Sequence, residues 1–328
     1  MISVTDTVEV LCSPSGSTES ALLTAELEAW TRSSGVPVTS TRLADHKDGL
    51  LAYLGGAAAR STVLQVTPDV VGALVEAGLL QPPPPDVIQP AVRAALGAAF
   101  QVGGELWAAP KDYSLIGHYG RGDAAASDVG PTFMNPVYER IAPFLYAHGG
   151  GTVLDGGGGA GCESGNLAGV RRLQGLLREG LVAFPQQHGH RNTVEAAREG
   201  AARLALEGPW LTREVPGAWS VASVGELTGG DTTLALAGGW AVTAGADDIA
   251  WELVRHLTAP ATLERISRDG GPRSVHHLAG GDAFRLLRPI AGARTAIWAW
   301  QALIGTLADD PPELLAEALS VADLKELT

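Results

Sequence analysis

Cysteine is nearly absent: two in 328 residues, Cys12 and Cys162. They lie far apart and show no metal-ligand spacing, so a disulfide framework is excluded, while a single bridge stays open. Two buried or loop thiols is the preferred reading, because free cysteine behaves as a small hydrophobe. No apolar run approaches the ~20 residues that cross a bilayer, which excludes insertion by a helix. No block of Lys or Arg occurs, and the net charge is -13. Nucleic-acid affinity rests on neutralising phosphates, so that partner is excluded, and anionic membrane is disfavoured for the same reason.

Catalytic and cofactor motifs are equally scarce. The glycine-dense stretch Gly149 to Gly161 has no Gly-Lys-Ser/Thr and no apolar strand directly before it, so it reads as a surface loop, not a phosphate loop. No Gly-x-Ser-x-Gly elbow is present. His188 and His190 form an HxH with no third ligand marked nearby, so no metal is expected. His276-His277 reads as solvated. Cys12, at the end of the first strand, is the one nucleophile-like placement, and no general base accompanies it. The chain is expected to need no cofactor.

What is present is a globular composition, 45% hydrophobic and 18% charged, long enough for two domains. Val8 to Cys12 reads as a buried strand opening into a Ser/Gly-rich loop. A helix with Leu22, Leu23, Leu27 and Trp30 on one side follows, stopped by Gly35 and Pro37. Val36 to Leu43 is a second strand, Lys47 to Arg60 a helix, Ser61 to Thr67 a third strand and Val70 to Gly78 the next helix. This alternation is the pattern of an open parallel α/β sheet. Pro82 to Pro85 is a stiff surface connector. Gln101 to Pro110 is a hairpin turning at Gly103-Gly104, running on into a strand over Lys111 to Gly120.

Further along, helices are expected over Val137 to Leu145, Gly165 to Gly180 and Thr193 to Ala205. Two more are expected around Arg285 to Ile304 and Pro312 to Leu327. Between them a strand ends in Gly238-Gly239-Trp240. A polar turn then leads into a helix from Asp248 with Ile249, Leu253, Val254 and Leu257 as its apolar stripe. Pro260 closes that helix, and a short arm over Gly270 to Ser274 follows.

Four ordered segments carry a family likeness: Val63 to Leu80, Gly104-ELWAAPKDYSLIGHY-Tyr119, Glu195 to Trp210 and the Gly239-Trp240 unit with its Pro-Arg-Ser arm. In that order the chain resembles the family 1 extracellular solute-binding proteins, the sugar-binding type that serves ABC importers. Weaker likeness at Ala142 to Gly150 and Asn166 to Val182 extends it over nearly the whole chain. The resemblance implies a two-lobed, periplasmic-binding-protein-like (type II) α/β fold, each lobe an open α/β sheet, hinged by crossover strands. The N-terminal lobe would comprise 1–110 with 236–285, and a reduced C-terminal lobe 111–235 with 286–328. Between Tyr119 and Ala142 about one helical hairpin of the family's usual second lobe is missing.

In that fold the ligand sits between the lobes, and ligands of open α/β sheets lie beyond the carboxyl ends of the strands. This selects Ser15 and Ser17 after the first strand, Gln65 and Thr67 at the end of the third, and Asp112 and Tyr113 at the crossover. Trp210 after Gly208-Pro209, Trp240 after the glycine pair, and Arg273 and Ser274 on the arm complete the set. Indoles stack on apolar sugar faces while carboxylates, amides and guanidinium groups bind hydroxyls. Trp210 and Trp240 are expected to face the cleft, Trp30 and Trp251 to be core, and one of Trp298 and Trp300 to reach the cleft. Asp112 beside Lys111 reads equally as a surface pair, and Glu207 as a cap or a brace for the hinge.

The function implied is binding of a mono- or oligosaccharide by a monomer that delivers it to ABC permease subunits. The alternative is a cytosolic descendant of the scaffold, acting as an enzyme or carrier in small-molecule (natural-product) metabolism. Met1 to Val8 has neither a basic nor an apolar leader region. The expected location is therefore extracytoplasmic if a leader was removed, and cytoplasmic if Met1 is the native start.

Overall fold

The computed structural model describes residues 7–13, 17–43, 50, 61–122, 130–152, 162–269, 273–274 and 284–286. In chain order its elements are β1 (Val8–Cys12), α1 (Ser17–Ser34), β2 (Val38–Arg42), β3 (Thr62–Val66), α2 (Pro68–Glu76), β4 (Leu80–Gln81), α3 (Pro90–Leu96), β5 (Gln101–Val102), β6 (Glu105–Leu106), β7 (Ala109–Leu115) and β8 (Gly117–Arg121). There follow β9 (Thr132–Phe133), α4 (Tyr138–Ala147), α5 (Glu163–Arg178), β10 (Val182–Ala183), α6 (Thr193–Arg198), β11 (Leu204–Glu207), α7 (Trp210–Glu214), β12 (Trp219–Ala222) and α8 (Gly225–Thr228). Last come β13 (Thr233–Thr243), α9 (Asp248–Thr258), α10 (Pro260–Arg268), β14 (Arg273–Ser274) and β15 (Phe284–Leu286).

Among the described residues, one compact unit comprises those up to Tyr113 together with 236–274. The other comprises Ser114–Ala235 with 284–286. Strands β7 and β13 each carry the chain from one unit's residues into the other's.

In the first unit β2, β1 and β3 run parallel, and β13 joins β3 antiparallel with Trp240 opposite Gln65. The sheet continues through β7 to β14, where Arg273 and Ser274 face Tyr113 and Asp112. Strand β1 is buried along its length, the pattern of a sheet covered on both faces. Leu23, Leu27 and Trp30 form the buried stripe of α1, and Trp251, Val254 and Leu257 lie on that of α9. Trp30 and Trp251 are core, 5% and 3% exposed. The buried carboxylate of Glu26 on α1 accepts two 2.6 Å bonds from Arg265 of α10. This bidentate pairing satisfies a charge that would otherwise be costly to bury.

In the second unit β10, β9 and β11 are parallel, with β8 and then β12 added antiparallel. Tyr119, Phe133, Ala205, Leu211 and Val215 pack with Ala196, Ala197 and Ala202, joining the sheet to α6 and α7.

Several elements differ from the sequence reading, each for a local reason. The strand holding Gly238-Gly239-Trp240 does not end there; β13 runs on to Thr243, and Trp240 is a mid-strand residue. The glycines clear space for neighbours. A Cβ on Gly238 would strike the Asp112 carboxylate, and one on Gly239 would lie 2.9 Å from the Phe100 ring and 3.2 Å from the Ala109 carbonyl oxygen. The helix expected to reach Ala205 stops at Arg198, beyond which Gly200 adopts φ 83°, and its supposed tail is strand β11.

The expected strand from Lys111 to Gly120 is two strands broken at Ile116. Helix α2 begins at Pro68, not Val70, because proline is well placed in a first helical turn. A whole helix, α10, intervenes between α9 and the arm. Arg285 lies in strand β15, not at a helix start. The helix expected over Lys47 to Arg60 (Leu50 apart), the remainder of the two tail helices, most of the loop over Gly149 to Gly161, and Trp298 and Trp300 lie outside the described residues.

The substitution Gly239→Val tests the crowding at β13. With Phe100 and the β7 backbone already in place, it should cost roughly 1–3 kcal/mol as an overpacked core site, read as a lowered denaturant midpoint at unchanged slope.

Candidate functional site

The first unit holds a cavity of about 30 Å³ lined by Glu19, Gln65, Lys111, Asp112 and Trp240 together with the apolar Leu23, Leu257, Leu263 and Ile266. One or two waters, or a methyl-sized group, fill such a space. The hydrogen-bonding residues among these come from α1, β3 and β7. Glu19 stands in the first turn of α1, Gln65 is next to last in β3, and Lys111-Asp112 lies in β7 across from the Gly238 gap in β13.

Lys111 is one of three lysines in the chain and the only one among the described residues. It is 7% exposed, pairs with the adjacent Asp112 carboxylate, and donates to Glu19 Oε1 at 3.3 Å. Its ammonium lies 5.8 Å from the centroid of the Trp240 ring, within cation–π range. Burial alone pushes its pKa down, but the charges of Asp112 and Glu19 outweigh that and hold it well above the ordinary lysine value. The surface-pair reading of Lys111-Asp112 is therefore corrected: the pair is internal, because neighbouring β13 has no side chain at Gly238 to fill its place. Gln65 is fixed as well, its Oε1 accepting the backbone N–H of Ser13 at 3.1 Å, which ties the ends of β1 and β3 together.

The other predicted positions are distributed as follows. Ser17 is exposed at the start of α1, and Ser15 lies outside the described residues. Thr67 is the N-cap residue of α2 by backbone, with no side-chain cap bond and its hydroxyl buried without a partner among the described residues. Tyr113 is fully buried. Trp240 is 3% exposed and forms a wall of the cavity, where a cleft-facing ring was expected. Arg273 and Ser274 are placed by their backbone alone, paired with β7. The structure thus gathers Gln65, Asp112 and Trp240 around one cavity and adds Glu19 and Lys111, which the sequence reading passed over.

Trp210 belongs to the second unit and opens α7, half-buried. Its six-membered ring folds back over Gly208, where any Cβ would collide with it. Under it lies a buried network. Glu207, 1% exposed, pairs with Arg140 of α4, accepts the Gly208 N–H at 2.9 Å, and takes a 3.1 Å bond from Asn135 Nδ2. Asn135 Oδ1 accepts in turn from the Thr193 N–H and hydroxyl. The Arg140 guanidinium carbon is 5.3 Å from the Trp210 ring centroid. The network is internal to the second unit, tying the end of β11 to α4.

Two further groups bear on chemistry. Burial, and then the Glu19 charge, raise the Cys12 thiol above its ordinary pKa, which keeps it protonated and poor as a nucleophile. His188 turns toward the Phe133 ring, and His190 bonds Glu199 at 3.0 Å, so the two imidazoles of the HxH have separate partners. Among the described residues no group of three His, Cys, Asp or Glu side chains could hold a metal. Nor is any helix there long and apolar enough to cross a membrane.

No protein-family model matches the sequence, and no curated protein matches it. Solved structures do. The GacH receptor of Streptomyces glaucescens GLA.O, known unliganded and with acarbose, superposes with TM-score 0.77 over 99% of both chains at 14% identity. A maltotriose-binding protein of Thermus thermophilus, bound to maltotriose, gives 0.75 at 17% identity, over 98% of this chain and 100% of its own. A cyclo/maltodextrin-binding protein with maltotetraose gives 0.73 at 16% identity, over 97% and 96%. The chain has the two-lobed, periplasmic-binding-protein-like α/β fold.

Two outcomes check the electrostatics. Lys111→Met leaves two carboxylates in a buried site without their shared cation and should lose about 3–5 kcal/mol of stability, measured by chemical unfolding. His118 is buried, bonded to Thr132 Oγ1 at 3.0 Å, and its pKa is lowered by burial, with Glu226 pulling weakly the other way. The unfolded chain protonates near pH 6.5 while the folded one resists, so stability is full above that pH and falls as the pH drops through it. His118→Gln should flatten the loss of melting temperature between pH 7 and pH 5, compared with the parent chain.

Proposed function

We propose that this chain binds an oligosaccharide as the ligand-binding component of an ABC importer. One observation carries the reading: three solved structures whose ligands are acarbose, maltotriose and maltotetraose share its fold over nearly their whole lengths. Several of the residues placed above suit that ligand class. In the first unit Gln65 and Asp112 supply hydrogen-bonding groups beside Trp240; in the second, Trp210 offers a half-buried indole for stacking on a sugar face. Ser17, Thr67, Arg273 and Ser274 complete the proposed contacts, with Tyr113 wholly buried beside them in the strand pairing of β7 and β14. Delivery to permease subunits outside the cytoplasm, by a monomer, belongs to the same proposal.

A thermal-shift series with maltotriose, maltotetraose and acarbose tests it. A ligand at 100 times its dissociation constant adds about 2.7 kcal/mol of stability, so at least one of the three should raise the melting temperature by several degrees. No shift with any of them at millimolar concentration overturns the assignment to this sugar class. Given a binding sugar, Trp210→Ala should weaken it by about tenfold or more, about 1.4 kcal/mol, measured by titration calorimetry. An unchanged dissociation constant removes Trp210 from the site.

A further inference from the structure

We propose that Arg140 is a positioning residue for Trp210: held by Glu207, which Asn135 bonds in turn, it clamps the indole so that the ring's exposed surface is presented in one fixed orientation. The geometry is particular to this corner. Arg140, 6% exposed, comes from α4, Glu207 ends β11, and Asn135 follows β9. Because β9 and β11 run parallel side by side, their carboxyl ends bring Asn135 and Glu207 together, with Trp210 three residues beyond Glu207.

A buried ion pair is weak evidence for stability, since desolvation offsets most of the attraction, and an apolar pair of similar volume often serves as well. Something beyond charge cancellation is therefore needed to explain why the guanidinium faces an aromatic ring. A planar, delocalised cation stacks on an indole in a way a lysine does not. Glu207 binds both the cation and the N–H of Gly208, the residue on which the ring rests. One carboxylate thus fixes the clamp and the turn that carries the ring. An untethered tryptophan would have to be ordered when ligand arrives; a clamped one is ordered beforehand, and that difference appears in affinity. The first unit carries a parallel case, with Lys111, neutralised by Asp112 and Glu19, beside Trp240.

Only the ligand-binding part of this proposal rests on the oligosaccharide reading, and the test has two arms. In the ligand-free protein, the difference spectrum between the parent chain and Trp210→Phe isolates the emission of Trp210. Arg140→Lys keeps the pairing with Glu207 but not the guanidinium beside the ring, and should red-shift that emission and raise its acrylamide quenching about twofold. An unchanged Trp210 component overturns the clamp whether or not any sugar binds. In the second arm, the dissociation constant for maltotriose should rise about fivefold or more in Arg140→Lys, yet stay level when the same change is made in a Trp210→Ala background. Equal fold-changes in both backgrounds would show a merely structural role. Should Arg140→Lys fail to fold, Arg140→Met/Glu207→Gln, which removes both charges, takes its place in both arms. If the parent chain binds none of the sugars, the functional reading fails while the fluorescence arm still decides the clamp.

Discussion

A charge taken out of water must be paired, and the residues around the candidate site are arranged by that requirement. Lys111 enters the interior because two carboxylates meet it there, and it reaches that position because β13 presents bare glycine at 238. Arg140 is buried against Glu207 under the same constraint. In each unit the paired cation lies beside a tryptophan, so the electrostatic constraint and the placement of the aromatic surface are one design. Remove either cation and a carboxylate and an indole lose their common neighbour.

The parallel strands supply the frame for both corners. Within each unit their carboxyl ends point the same way, which gathers short polar segments: Ser13 with Gln65 in the first, Asn135 with Glu207 in the second. These cross-strand bonds hold loop residues at fixed separations without a disulfide or a metal among the described residues. A scaffold of this kind can lose sequence similarity to its structural neighbours, down to 14–17% identity, because parallel pairing asks for buried apolar residues and not for particular ones.

Much of the fold was legible in the chain. Strand β1, the end of α1 at Gly35, the hairpin at Gly103-Gly104 and the stop before Pro260 follow from burial pattern and backbone chemistry, and each is where that chemistry puts it. Trp30 and Trp251 were legible as core because each sits on the apolar side of a helix. The errors share a cause. A glycine pair was read as a strand end, when its purpose is to make room for Asp112 and Phe100. The surface-pair reading of Lys111-Asp112 stays open in the sequence, because the further partner Glu19 is 92 residues away. Neither clearance nor a distant partner leaves a local trace in the sequence.

The sequence by itself determined the alternation of strand and helix, the acidic net charge, and the short list of indoles and polar strand-end residues worth following. It could do so because periodicity, turn propensity and net charge are properties of neighbouring residues or of the whole sum. Only the tertiary structure decided which of those residues share a cavity, that Trp240 is a buried wall while Trp210 stays half-open, and that Glu19, Lys111, Asn135 and Arg140 belong with them. Those facts depend on side chains meeting across strands far apart in the chain, and on which charges can be matched once water is excluded.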